Sequence, residues 1–169
     1  MTSRRLLNIV LGADKYAYAL KEALREYLMG RDDVHVTDVG VGSADADIPY
    51  YKTADAVGAR VAGGEFERGI LVCGTGMGMC IIANKHPGVF AAVCENVEAA
   101  VKSRSINNSN VLTLGGFVTP PAEAIKIVDA WLAAKFTQDF EPDLQSWLRG
   151  SMDDIAEIER QVFRQGEPE

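Results

Sequence analysis

Apolar positions fall into short blocks rich in β-branched and aliphatic residues, alternating with longer stretches of helical spacing. Leu6 to Leu11, interrupted only by Asn8, predicts a buried strand. Between Ala17 and Met29, the residues Leu20, Ala23, Leu24, Tyr27 and Leu28 recur at three- and four-residue intervals and predict a helix. Val34 to Val39 reads as a second strand, and Tyr50 to Ala62 as a helix with Pro49 at its start. Gly69 to Cys73 predicts the third strand, Met79 to Lys85 a short helix and Val89 to Cys94 the fourth strand. Glu98 to Ser105 predicts a helix, Val111 to Leu114 the fifth strand, and Pro120-Pro121 opens a helix running through Ile125, Ile127, Val128 and Trp131. From about Asp139, Leu144, Trp147, Leu148, Met152, Ile155, Ile158 and Val162 mark one more amphipathic helix, with Gly150 as its weak point.

Five strands alternating with helices predict an α/β fold: a single-domain, doubly wound, Rossmann-like parallel sheet of five strands with helices on both faces. This domain is expected over residues 1–136, with a C-terminal helical extension over 137–169. A helix appended to a complete sheet needs a surface to cover, and a partner subunit supplies one. Ligands of such sheets bind beyond the carboxyl ends of the strands, which singles out the loops after Leu11, Val39, Cys73, Cys94 and Leu114.

The 169 residues suit one domain, and 47% apolar with 24% charged residues excludes disordered and fibrous classes. A net charge of −7 argues against nucleic-acid and anionic-membrane partners, but not against a small anion held by backbone N–H groups. Three cysteines without CxxC or metal-ligand spacing predict reduced thiols, no disulfide framework and a cytoplasmic location. Ser3-Arg4-Arg5-Leu6-Leu7 resembles the start of a twin-arginine export signal. Its apolar run ends at Ala13, before Asp14-Lys15, which is too short for export. No segment reaches the roughly 18–20 apolar residues of a membrane span.

The loop Cys73-Gly74-Thr75-Gly76-Met77-Gly78-Met79 links a buried strand to a helix. Three alternating glycines allow close backbone approach, so the loop is either an anion-holding nest or a tight turn. It matches neither the dinucleotide fingerprint, which follows the first strand, nor the Gly-Lys-Ser/Thr of phosphate-loop enzymes. Cys73, at the strand end, is either a reactive thiol or a small buried apolar residue. Cys80 and Cys94 read as packing residues, and His35 and His86 as peripheral.

With Gly12-Ala13-Asp14-Lys15, Asp47-Ile48-Pro49, Ala83-Asn84-Lys85, Asn107-Asn108-Ser109-Asn110 and Leu114-Gly115-Gly116 in this order, the chain resembles the ribose-5-phosphate isomerase B and galactose-6-phosphate isomerase family. The resemblance covers roughly Leu7 to Phe136. It implies a homodimer or dimer of dimers with active sites shared between subunits, and aldose–ketose isomerisation of a small phosphorylated sugar through a cis-enediolate, without metal or cofactor. It makes Cys73 the base between C1 and C2, with Gly74, Gly76 and Gly78 donating to the enediolate oxygen and Asn107 reaching in from the partner. Thr75, Asp14, Lys15 and Asp47 would complete the substrate site. Lys15, Ile106 and Phe117 depart from the ribose-phosphate pattern of histidine, histidine and arginine. Loss of the ring-opening histidine at Ile106 directs the expectation to a tetrose phosphate, with a galactose-6-phosphate type as competitor. The other readings are a non-catalytic accessory subunit and a sugar-phosphate-binding regulatory module.

Overall fold

A computed structural model describes residues 5–164, so Ser3, Arg4 and residues 165–169 lie outside the described residues. Strands β1 (Leu7–Ala13), β2 (Val34–Asp38), β3 (Arg68–Cys73), β4 (Ala91–Val93) and β5 (Val111–Gly115) form one sheet in the order β2-β1-β3-β5-β4. Every neighbouring pair is parallel. The helices are α1 (Tyr18–Met29), α2 (Tyr50–Ala62), α3 (Met77–Ala83), α4 (Val97–Ser105), α5 (Pro121–Ala133) and α6 (Pro142–Arg164).

The period of two along each strand divides the core. Ile9, Leu11, Ile70, Val72, Leu112 and Leu114 face Leu24 of α1, Ala100 of α4 and Ile127 and Trp131 of α5. Val10, Leu71 and Val111 face Val57 of α2 and Met79 of α3. Each large side chain buried this way contributes about 1.5–3 kcal/mol. Helices therefore cover both faces, as the alternation predicts.

Several boundaries move for identifiable reasons. A 3-10 turn, Lys15–Ala17, precedes α1 because the Asp14 side chain caps it. Helix α3 starts at Met77 rather than Met79, since Gly76 in the left-handed region turns the chain straight into it. Strand β4 is shorter than expected because Val89 and Phe90 donate to His86 O and Asn110 Oδ1 before the ladder begins. Gly150 does not weaken α6, which runs unbroken for 23 residues. The helix is held beside it by buried Leu148 and by Arg149 Nη2 donating to Thr137 Oγ1 at 2.6 Å.

From β1 the chain moves outward to β2, then returns to place β3 on the other side of β1. The loops after β1 and β3 thus diverge from neighbouring strand ends, the crevice where such sheets bind ligands.

Candidate active site

Asp14 leaves β1 in extended conformation, and its Oδ1 accepts from the N–H groups of Tyr16 (3.0 Å) and Ala17 (3.2 Å). The carboxyl is nearly buried, and burial pushes it above its ordinary 3.8, while the two N–H groups and Lys15 pull it back. Across the crevice, Cys73 ends β3 opposite Gly115 of β5 and is 5% exposed. The Gly76 N–H donates to Cys73 Sγ at 3.2 Å, a bond that strengthens when sulfur carries negative charge. That placement needs glycine: Gly76 has φ 77°, and a Cβ there would sit 2.9 Å from the Leu114 carbonyl carbon. The loops after β3 and β5 are tied together by Gly116 N–H donating to Cys73 O (2.8 Å) and Phe117 N–H donating to Gly74 O (2.9 Å).

Asp14, Tyr50, Cys73, Gly74, Thr75 and Gly78 line a pocket of about 280 Å³. The fold thus brings together five of the residues singled out in the sequence. Tyr50 is an addition that sequence reasoning missed; its signal was an aromatic residue directly after Pro49 at a helix start. Its ring lies over Gly78, where a Cβ would come within 2.8 Å of Cε2. Gly76 is absent from the lining, its N–H being directed at the sulfur.

Lys15 and Asp47 meet each other, Nζ to Oδ1 at 3.1 Å, outside the pocket lining, and the Asp47 side chain is 94% exposed. The Asp47 carboxylate holds the Lys15 ammonium above the usual lysine range.

Asn107 lies elsewhere. With Ile106 it lines a larger cleft of about 520 Å³, closed on its far side by Trp147, Met152 and Ile155 of α6. Its segment enters β5 at the amino edge of the sheet, whereas Cys73 sits at the carboxyl edge. Arg104 Nη1 pins it by donating to Asn108 Oδ1 (3.0 Å) and Ser109 O (2.6 Å), and Trp131 Nε1 donates to Ser109 Oγ (2.9 Å). Burial, and then the nearby Arg68, lowers Arg104 to about 10. No acid, base or thiol is among the described residues that line this larger cleft, whereas Asp14 and Cys73 both line the smaller pocket.

All three cysteines are free. Cys80 and Cys94 turn their sulfurs toward Ala91 O (3.3 Å) and Ala92 O (3.9 Å), and burial pushes both thiols up. His86 packs over Gly58 and meets Asp55 at 3.0 Å, while His35 is exposed on β2. Among the described residues no helix is long and apolar enough to cross a membrane.

Residues 9–143 match the family model described as Ribose/Galactose Isomerase. A 4-deoxy-4-sulfo-D-erythrose isomerase from Clostridium sp. (strain MSTE9) is 38% identical over 160 residues, covering 95% of this chain and 100% of the relative. A D-erythrulose-4-phosphate isomerase from Pectobacterium atrosepticum is 39% identical over 131 residues, covering 78% of this chain and 86% of the relative. Among solved structures, the ribose-5-phosphate isomerase B of Clostridium thermocellum superposes with a TM-score of 0.83 at 36% identity, covering 92% of this chain and 99% of that one. This chain belongs to the ribose/galactose isomerase family and is an enzyme that interconverts aldoses and ketoses.

Proposed function

We propose that the substrate is a four-carbon aldose or ketose with an anionic terminal group, isomerised by proton transfer at Cys73. The observation that carries this reading is the Cys73 sulfur itself. It lies at the carboxyl edge of the sheet, in a pocket shared with Asp14 and Thr75, with a backbone N–H aimed at it. A thiolate there takes the proton from C2 of the aldose; the C2–H bonding pair forms the C1–C2 double bond as the carbonyl pair moves onto O1, giving a cis-enediolate. Return of the proton to C1, with the O2 hydroxyl proton passing to O1, yields the ketose and regenerates the thiolate. The backbone N–H groups of Gly74 and Gly78, which line the pocket, take the developing oxyanion, while the N–H of Gly76 holds the sulfur. Thr75 and Asp14 hold the sugar hydroxyls.

The site is completed by a second copy of the chain. Asn107 and Ile106 lie in the α6 cleft, away from their own Cys73, so Asn107 serves the partner's pocket. Apolar side chains left exposed on both faces support such pairing: Tyr16, Met77 and Phe117 around the Cys73 pocket, Trp147, Ile158 and Val162 on α6. Residues 137–169 are in this reading an extension that packs on that partner, and the enzyme works in the reducing cytoplasm.

A tetrose with an anion on its terminal carbon cannot close a furanose ring and needs no ring-opening acid, which fits isoleucine at position 106. Two of the relatives act, by their names, on four-carbon sugars. A sulfonate is a second reading of the anion. Lys15, the cation beside the pocket, is already paired with Asp47 and adjoins Asp14, an arrangement better suited to a monoanion than to a dianionic phosphate. A panel of tetrose, pentose and hexose phosphates with a sulfotetrose tests the proposal. The tetroses should exceed ribose 5-phosphate in kcat/KM by at least about tenfold; preference for a cyclic pentose or hexose refutes it.

A further inference from the structure

We infer that Tyr50 is a further catalytic residue, its hydroxyl donating a hydrogen bond to the enediolate oxygen beside Gly78; the inference rests on the isomerase reading above. Tyr50 is the first residue of α2 and lines the same pocket as Asp14, Cys73, Thr75 and Gly78. It is 42% exposed and so open to a ligand. Its ring nevertheless has a defined place. One edge lies against Gly78, where a Cβ would come within 2.8 Å of Cε2 and 3.2 Å of both Cδ2 and Cζ. Cζ carries the hydroxyl, so the phenol oxygen starts one bond from this contact. Tyr51 meets the ring edge to face, with centroids 5.5 Å apart and planes at 82°.

Hydrogen-bonding capacity in the pocket is unevenly spent. Cys73 Sγ accepts from Gly76 N–H, Asp14 Oδ1 from the N–H groups of Tyr16 and Ala17, and Thr75 Oγ1 from Met77 N–H at 3.4 Å. The Tyr50 hydroxyl makes no hydrogen bond among the described residues. A phenol donates as well as accepts, and this donor is uncommitted. The charge balance gives it a task. No lysine, arginine or histidine is among the described residues that line the pocket, while the reaction places negative charge on an oxygen near Cys73 and the Asp14 carboxyl. Without a cation in that lining, the charge is held by hydrogen-bond donors, and one such donor is worth about 10²–10³ in kcat where it has been removed from an oxyanion site. Tyr50 adds a neutral donor to the N–H groups of Gly74 and Gly78, and it keeps its own proton throughout.

Tyr50→Phe removes the oxygen and keeps the ring. That oxygen has no partner among the described residues, so Tm should not fall. Turnover of erythrulose 4-phosphate should drop at least about tenfold in kcat with KM nearly unchanged, the pattern of an interaction made only in the transition state. The inhibition constant of 3-phosphoglycerohydroxamate, whose hydroxamate mimics the enediolate, should rise by a similar factor. Gly78→Ala is the second variant: its Cβ displaces the ring without removing the hydroxyl, so it should cost less in the Tyr50→Phe background than in wild type. Unchanged kcat and hydroxamate affinity in Tyr50→Phe, a rise in KM alone, or equal Gly78→Ala losses in both backgrounds overturns the role of the hydroxyl and leaves the isomerase reading intact. Wild-type enzyme that neither turns over the ketose nor binds the hydroxamate overturns both.

Discussion

Gly76→Ala tests whether one backbone conformation holds the thiol in place. Two costs add at this position. A non-glycine residue at φ 77° costs about 1–2 kcal/mol. The new Cβ would also lie 2.9 Å from the Leu114 carbonyl carbon and 3.1 Å from its oxygen, backbone atoms of a central strand that cannot turn aside. Overpacking of that kind costs about 1–3 kcal/mol, so the sum is about 2–5 kcal/mol. At about 2–4 °C per kcal/mol for a chain of this size, Tm should fall by roughly 4–20 °C. Gly64→Ala supplies the control: Gly64 has φ 74° with nothing within 4 Å of the added carbon, so it incurs the conformational cost alone. Calorimetry of the three proteins separates strain from clash. Because the Gly76 N–H donates to Cys73 Sγ, Gly76→Ala should also lower kcat in whatever fraction stays folded, and Gly64→Ala should not. If Gly76→Ala is as stable and as active as Gly64→Ala, the reasoning about this turn is wrong.

Asp14→Asn should keep or raise stability at neutral pH while lowering kcat/KM, since Asn Oδ1 can still cap the 3-10 turn. The folded-state pKa of Asp14 lies above 3.8, so its stabilising contribution is present below the ordinary aspartate value and lost as pH rises through the raised one. Denaturation curves at pH 7 and pH 3 should therefore show the variant's advantage shrinking in acid. Lys15→Met should raise KM more than it lowers kcat, the pattern of lost uniform binding, and an unchanged KM in steady-state assays assigns Lys15 to structure alone. Mixing inactive Cys73→Ala with inactive Asn107→Ala chains should restore partial activity through hybrid dimers, and hybrids confirmed by native mass spectrometry that stay inactive exclude a shared site.

Much of the fold was legible because parallel strands covered on both faces read as short apolar blocks. The loop from Cys73 to Met79 was legible because three alternating glycines at a strand end are uncommon outside a tight turn or a nest. Strand order was not, since nothing local in Val111–Gly115 says that it inserts between β3 and β4. Nor was buried Lys21, which reaches Val41 O and Asp38 from a helical position that reads as solvated. Phe117 showed in the sequence as a departure from the family's arginine, but its place over Gly74 depends on hydrogen bonds between two loops more than forty residues apart, roughly speaking, which no spacing encodes.

Solvent-proton exchange tests the central claim most directly. Wild-type enzyme, Cys73→Ala and Cys73→Ser are each incubated with erythrulose 4-phosphate in D2O, and deuterium at C1 is followed by NMR. A thiolate that takes this proton exchanges it with solvent, so wild type should incorporate deuterium as it isomerises. Cys73→Ala should lose at least about 10²-fold in both exchange and turnover with its fold intact. Wild-type rates in a folded Cys73→Ala protein contradict the account.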